Sequence, residues 1–155
     1  MNLTSDFCFA GPFTHSLDEK GRFAMPSIFR EELGHSERPD LVMALAYDIK
    51  YLRLYPYEQW RKLMAEIEEA IPDAGRRNDA LRAFSTQVRA LNLDKAGRLL
   101  LPPELRSAAG LNREIKIIGM GSKIDVWDPA AHEQKESHDK SVMDALIMGQ
   151  GLRAL

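Results

Sequence analysis

Ser16-Leu-Asp-Glu-Lys-Gly-Arg-Phe-Ala-Met-Pro-Ser-Ile-Phe-Arg30 returns without a gap as Asn92-Leu-Asp-Lys-Ala-Gly-Arg-Leu-Leu-Leu-Pro-Pro-Glu-Leu-Arg106, 76 residues further along the chain. Leu17, Asp18, Gly21, Arg22, Pro26 and Arg30 recur as Leu93, Asp94, Gly97, Arg98, Pro102 and Arg106, and Gly34 recurs as Gly110. Seven identities in one register mark an internal duplication, so the fold is two copies of one small module. A shift change of four, placed at a longer loop around His35 to Asp40, brings Tyr51-Leu-Arg-Leu-Tyr55 onto Lys123-Ile-Asp-Val-Trp127.

Each copy reads as strand, strand, short helix, strand, strand. A short strand enters Asp18 or Asp94, whose carboxylate can accept bonds from backbone N–H groups two residues on. Gly21 or Gly97 then supplies the positive φ that a closing turn demands, giving a tight strand-turn-strand. The exit strands, Arg22 to Met25 and Arg98 to Leu101, run into Pro26 and Pro102, which suit the first turn of a helix because no N–H is needed there. Short helices ending near Gly34 and Gly110 are expected. A second hairpin follows in each copy: Leu41 to Tyr47 with Lys50 to Tyr55, and Glu114 to Met120 with Lys123 to Trp127. Tyr55 and Trp127, at equivalent strand ends, continue the apolar alternation and read as core aromatics.

Between the copies, Trp60, Leu63, Met64, Ile67 and Ile71 keep helical spacing after Pro56, and Leu81, Phe84 and Val88 do so after the break at Pro72 to Gly75. A third helix is predicted after Pro129, with a loose tail beyond Gly149.

The chain of 155 residues has room for one compact domain or two small ones. With 21 basic against 23 acidic side chains, it is no generic polyanion binder, and any nucleic-acid contact must come from a local patch. Arg76 to Arg113 holds such a patch, eight Arg or Lys against Asp79, Asp94 and Glu104. No apolar run reaches the roughly 18 to 20 residues of a membrane span, and Met1 to Ala10 lacks the pattern of a secretion signal. Cys8, the single cysteine, can make neither an internal disulfide nor a zinc framework, so a reducing cytoplasm and no cofactor are expected.

Catalysis finds no foothold. His15, Ser16 and Asp18 alternate faces on a strand and cannot form a relay. His35, His132 and His138 make no metal set, since His132 and His138 stand six apart where a shared helical face wants three or four, and all read as surface histidines. The chain is expected not to be an enzyme.

The duplicated Asp-x-x-Gly-Arg-x-x-x-Pro pattern, preceded by Phe9-x-Gly-Pro-Phe-x-His-Ser16, resembles the MraZ family from about Phe9 to Trp127. That family is similar to the AbrB class of swapped-hairpin regulators. The resemblance implies an α+β fold in which two tandem SpoVT-AbrB-like half-barrel motifs interleave into one swapped-hairpin β-barrel with flanking helices. Expected boundaries are a first motif at 9–56, a helical linker at 57–89, a second motif at 90–133, and a C-terminal helix and tail at 134–155. Interleaving also suits the physics, because a module of about 50 residues with short strands cannot bury much of its own surface.

The resemblance further implies a sequence-specific DNA-binding regulator, a repressor, of the division and cell-wall gene cluster including its own promoter. It would bind double-stranded promoter DNA with short direct repeats as a homo-oligomeric ring of eight or twelve subunits, in the cytoplasm and at the nucleoid. An antitoxin-like oligomer, or a purely structural one, is the alternative. On the residues alone, Arg22 and Arg98 pair with the Asp of their own turn; the resemblance makes them DNA contacts, with planar forks suited to phosphate or to guanine. Lys20 and Lys95 would add phosphate contacts, while Asp18, Gly21, Asp94 and Gly97 organise the turns. Arg98 stands in the basic half, whereas Glu19 works against Arg22. Arg30 and Arg106 are open between solvation, pairing across the repeats and DNA contact.

Overall fold

The computed structural model describes residues 7–34, 39–46 and 50–150. Its first strand, β1 (Phe9–Ser16), pairs along its whole length with a strand of the other half, β7 (Glu114–Gly121). The next, β2 (Arg22–Ala24), pairs with its own repeat, β6 (Arg98–Leu100). The turn at Asp18 is therefore not a ladder-forming hairpin. Asp18 N–H donates to Arg22 O at 2.8 Å and Gly21 N–H to Asp18 O at 3.0 Å, and beyond that the two arms diverge to partners in the other half. The reason is size: a three-residue arm buries too little to hold a strand pair alone.

The same exchange runs in the opposite direction. β3 (Leu41–Leu45) and β4 (Leu52–Pro56) form the first half's hairpin, and β3 receives β5 (Val88–Leu91) from the second half. β7 with β8 (Ile124–Trp127) forms the equivalent hairpin and receives β1. The hairpins join through β4 and β8, giving one antiparallel sheet in the order β1-β7-β8-β4-β3-β5 beside the small β2-β6 ribbon. This is an α+β fold with two interleaved copies. Among the described residues no strand ladder joins ribbon to sheet, so the expected barrel is not closed by hydrogen bonds; buried residues of both, Phe23 and Leu99 from the ribbon among them, share one core.

A pseudo-twofold axis organises the core. Phe23 and Leu99, equivalent by the 76-residue shift, face each other in the ribbon, both essentially inaccessible. On either side, Met25 N–H donates to Gly97 O at 3.0 Å and Leu101 N–H to Gly21 O at 2.9 Å. Helices α1 (Ser27–Leu33) and α4 (Pro103–Ala108) each drive one side chain, Phe29 or Leu105, into the shared core. Pro26 and Pro102 stand one position earlier than the sequence suggested, as N-caps with extended ψ; in α4 it is Pro103 that opens the helix.

The same axis passes between Arg53 and Asp125, which occupy equivalent positions 72 residues apart and face each other across β4 and β8. Arg53 Nε lies 2.8 Å from Asp125 Oδ1 and its Nη2 3.1 Å from Oδ2, a bidentate pair beneath which Asp125 is buried. A residue on such an axis faces its own counterpart. Two identical charges there would repel; a duplication within one chain lets the two copies diverge to opposite charges.

The connecting helices are α2 (Tyr57–Ala70) and α3 (Ala74–Ser85), clasped by Trp60 stacked on Phe84 with ring centroids 5.4 Å apart. Asp73 caps α3 by accepting from Arg76 N–H at 2.8 Å. Trp127 is buried and stacks on Tyr51 at 4.3 Å, while Tyr55 is half-buried against Trp60. The final helix, α5 (Pro129–Gln150), leaves Val142, Met143 and Leu146 exposed. The tail expected beyond it lies outside the described residues, as do residues 35–38 of the loop expected around His35 to Asp40.

Candidate nucleic-acid interface

Each Asp–Arg turn is wired by its carboxylate. Asp18 Oδ1 accepts from the backbone N–H groups of Lys20 and Arg22, both at 2.9 Å, and Oδ2 from Arg22 Nε at 2.7 Å. Asp94 repeats this with Ala96 N–H at 3.0 Å, Arg98 N–H at 2.9 Å and Arg98 Nε at 2.9 Å. The salt bridge read from the residues alone is thus present in both copies. It does not consume the arginine: only Nε is held, and the outer guanidinium nitrogens of Arg22 and Arg98 have no protein partner among the described residues. The carboxylate fixes the root of the fork.

These bonds leave a titration signature. The backbone N–H of Arg22, with further help from its side chain, holds the Asp18 carboxyl below the ordinary value of 3.8 against a smaller opposing effect of desolvation, and Asp94 is lowered in the same way by Arg98. A carboxyl lowered in the folded state contributes its stabilisation above the unfolded pKa and loses it as pH falls through the folded one. Both turns should therefore stay wired at neutral and mildly acidic pH and loosen only below pH 3.8. An NMR titration of the carboxyl carbons of Asp18 and Asp94 is expected to show midpoints below those of exposed reference carboxylates; ordinary midpoints would mean the bonds do not persist in solution.

Gly21 and Gly97 take φ of +84° and +77°, in the left-handed region that favours glycine. A second constraint, unseen in the sequence, acts on the same atoms. The guanidinium of Arg30, from α1, lies directly on Gly97 where a Cβ would stand, and Arg106 Nη1, from α4, stands 3.2 Å from the corresponding position on Gly21. Each turn is thus roofed by an arginine of the other motif. The recurrence of Arg30 as Arg106 was the available signal, but it did not say whose turn each would cover.

Strand alternation settles what the ribbon displays. Phe23 and Leu99 point inward, so Arg22, Ala24, Arg98 and Leu100 share the outward face. Arg22 stands opposite Leu100, and Arg98 opposite Ala24, which makes the two arginines diagonal neighbours related by the pseudo-twofold. Lys20 and Lys95 are exposed at the two turns.

Other candidates come apart. His15 is half-buried and Ser16 exposed on β1. His132 is no plain surface histidine: it meets Trp127 edge-on at 5.7 Å, with a buried Nδ1 lacking a partner among the described residues. His138 is exposed, and His35 lies outside the described residues. No described helix is long and apolar enough to cross a membrane.

Comparison with known proteins agrees with this construction. A family model described as "MraZ protein, putative antitoxin-like" matches residues 8–82 and 85–145. The protein named transcriptional regulator MraZ from Thermomicrobium roseum is 39% identical over 128 residues, 78% of this chain and 82% of that one. Those of the same name from Pseudoalteromonas translucida and an Anaeromyxobacter species are 35% and 32% identical, over 84% of this chain and 86% and 90% of their own lengths. The name these relatives share is a regulator's, not an enzyme's. A duplicated motif with both turns intact and a family match spanning both halves place the chain in the MraZ family.

Proposed function

We propose that this chain is a sequence-specific DNA-binding transcriptional regulator whose reading surface is the outward face of the β2-β6 ribbon. One observation carries the proposal: a two-stranded antiparallel ribbon, the right size for a major groove, presents Arg22 and Arg98 on one face with their outer nitrogens unengaged among the described residues. Carboxylates root the two forks, so little side-chain freedom remains to be lost on binding. Lys20 and Lys95 stand beside them for phosphate, and Ala24 and the half-exposed Leu100 offer apolar contact to a thymine methyl.

The names of the relatives support transcription as the process. We extend the reading to repression of the division and cell-wall gene cluster, including the chain's own promoter, through short direct repeats bound by a homo-oligomeric ring in the cytoplasm, at the nucleoid. Repetition of one ribbon around a ring would multiply weak contacts into avidity. The test is a gel-shift titration with a duplex from upstream of the chain's own reading frame. Retardation is expected at low salt, with affinity falling steeply as salt rises. No retardation at low salt would refute DNA binding.

The description of the family as antitoxin-like favours a second reading, in which the same DNA binder also holds a partner protein through its C-terminal end. The exposed Val142, Met143 and Leu146 of α5 are the surface for it. Co-purification of a stoichiometric partner that is lost when α5 is made polar would support that reading.

A further inference from the structure

Beside each turn lies a cleft between that turn and the helix of the opposite motif, and the two clefts differ in charge. The first, about 330 Å³, is lined by Lys20 from the first turn and by Arg106, Ser107 and Asn112 from the second motif, with no carboxylate among its described lining residues. The second, about 560 Å³, has Lys95 and Arg30 facing Glu31, Asp40 and Asp94. Along the sequence the second turn stands in the basic half. In space the exchange hands the second motif's α4, where Arg106 is balanced only by Glu104 outside the cleft, to the first turn and leaves the second turn beside α1, whose Glu31 and Glu32 outnumber Arg30.

Arg106 is built into its cleft. Its Nε donates to Leu111 O and its Nη2 to Asn112 O, both at 3.3 Å, which anchors the guanidinium at the end of α4 and aims Nη1 at Gly21. An arginine held by two carbonyls loses little freedom when its remaining edge takes an anion. Lys20 faces it from the other wall and Ser107 supplies a hydroxyl. That set of donors without a competing carboxylate is what a phosphate diester requires.

We propose that the cleft between the first turn and α4 is a backbone-phosphate seat, in which Lys20 and Arg106, one from each motif, clamp a single DNA phosphate next to the ribbon. The inference rests on the DNA-binding reading and sharpens it: the first turn, not the second, is the stronger electrostatic anchor. The residue equivalent to Ser107 in the other motif is Glu31, which lines the second cleft, so Ser107→Glu would bring one of the second cleft's carboxylates into the first. Ser107 and Lys20 are both exposed, so neither substitution disturbs the core.

The test is fluorescence anisotropy with a labelled duplex from upstream of the chain's own reading frame, titrated at several salt concentrations, with thermal melting as a check on folding. One phosphate contact releases about 0.9 counterion, so Lys20→Gln is expected to weaken binding about eightfold at about 0.1 M salt and to flatten the salt slope by about 0.9. Ser107→Glu should lose at least as much. Lys95→Gln, acting in a cleft where carboxylates already oppose a phosphate, should lose about threefold or less. Equal losses for Lys20→Gln and Lys95→Gln, or unchanged binding by Ser107→Glu, would overturn the seat while leaving ribbon reading intact. A wild-type protein that binds no duplex removes the DNA reading itself and the seat with it.

Discussion

Replacing Arg53 with alanine is expected to lower the unfolding free energy by about 3–5 kcal/mol, the range for stranding one member of a buried ion pair. Asp125 is only 3% exposed, and Arg53 supplies both of the charged bonds its carboxylate receives. Desolvation works against the charge on Arg53, but the hydrogen bond and charge of Asp125 outweigh it and raise the Arg53 pKa, so the guanidinium stays protonated. With Arg53 gone, the carboxylate keeps its burial and loses its counter-ion, between the two strands that join the halves. Chemical denaturation should show the midpoint falling sharply. Arg53→Leu combined with Asp125→Leu should recover most of the loss, since apolar replacement of a whole buried pair is often neutral. Exchanging the charges, Arg53→Asp with Asp125→Arg, should also recover much of it, because the positions are equivalent about the pseudo-twofold. A loss below about 1 kcal/mol for Arg53→Ala would mean that water reaches the pair and screens it like a surface bridge.

That pair also shows where sequence reading stops. The 76-residue register, the order of elements in each copy, the linker helices and the turn chemistry at Asp18 and Asp94 were legible, because each depends on residues close together in the chain; Val88, read as continuing the second linker helix, instead opens β5, where it pairs with Ala44. Strand partners were not. Alternation in Leu52-Arg-Leu54 says which side chains are buried, but a strand's face carries no address for its neighbour. Interleaving was anticipated from the family resemblance and from the small size of the module, not from periodicity. The alignment placed Arg53 on Asp125 as a mere mismatch between the copies, when that mismatch is a contact across the axis.

Charge reads differently along the chain and in space. A window count over Arg76 to Arg113 follows the chain, whereas the field at a turn depends on which helix lies beside it. Since α4 serves the first turn and α1 the second, counting within each half favoured Arg98 over Arg22, whereas the cleft linings favour the first turn. Arg30 and Arg106, left open between three roles, lie on the glycines of the opposite turns.

The second large effect separates stability from recognition. Arg22→Ala with Arg98→Ala is expected to abolish specific DNA binding while changing the melting temperature little. Each arginine offers a fork worth about 1–3 kcal/mol of discrimination if it pairs with a guanine, so the double variant should lose about 2–6 kcal/mol of specific affinity per ribbon, more where several ribbons bind together. Both members of each ion pair being removed are partly exposed, with side-chain accessibilities of 25% for Arg22 and 39% for Arg98, and each Asp keeps its two backbone bonds, so the cost to folding is small. Native mass should be unchanged. Arg22→Lys with Arg98→Lys sharpens the result: charge survives and the fork does not, so binding should remain salt-dependent but lose its preference for the promoter duplex over random sequence. If the alanine variant instead changes in native mass or melts many degrees lower, the two arginines are structural and the reading surface lies elsewhere. If it binds the promoter as the wild type does, the ribbon is not in the groove.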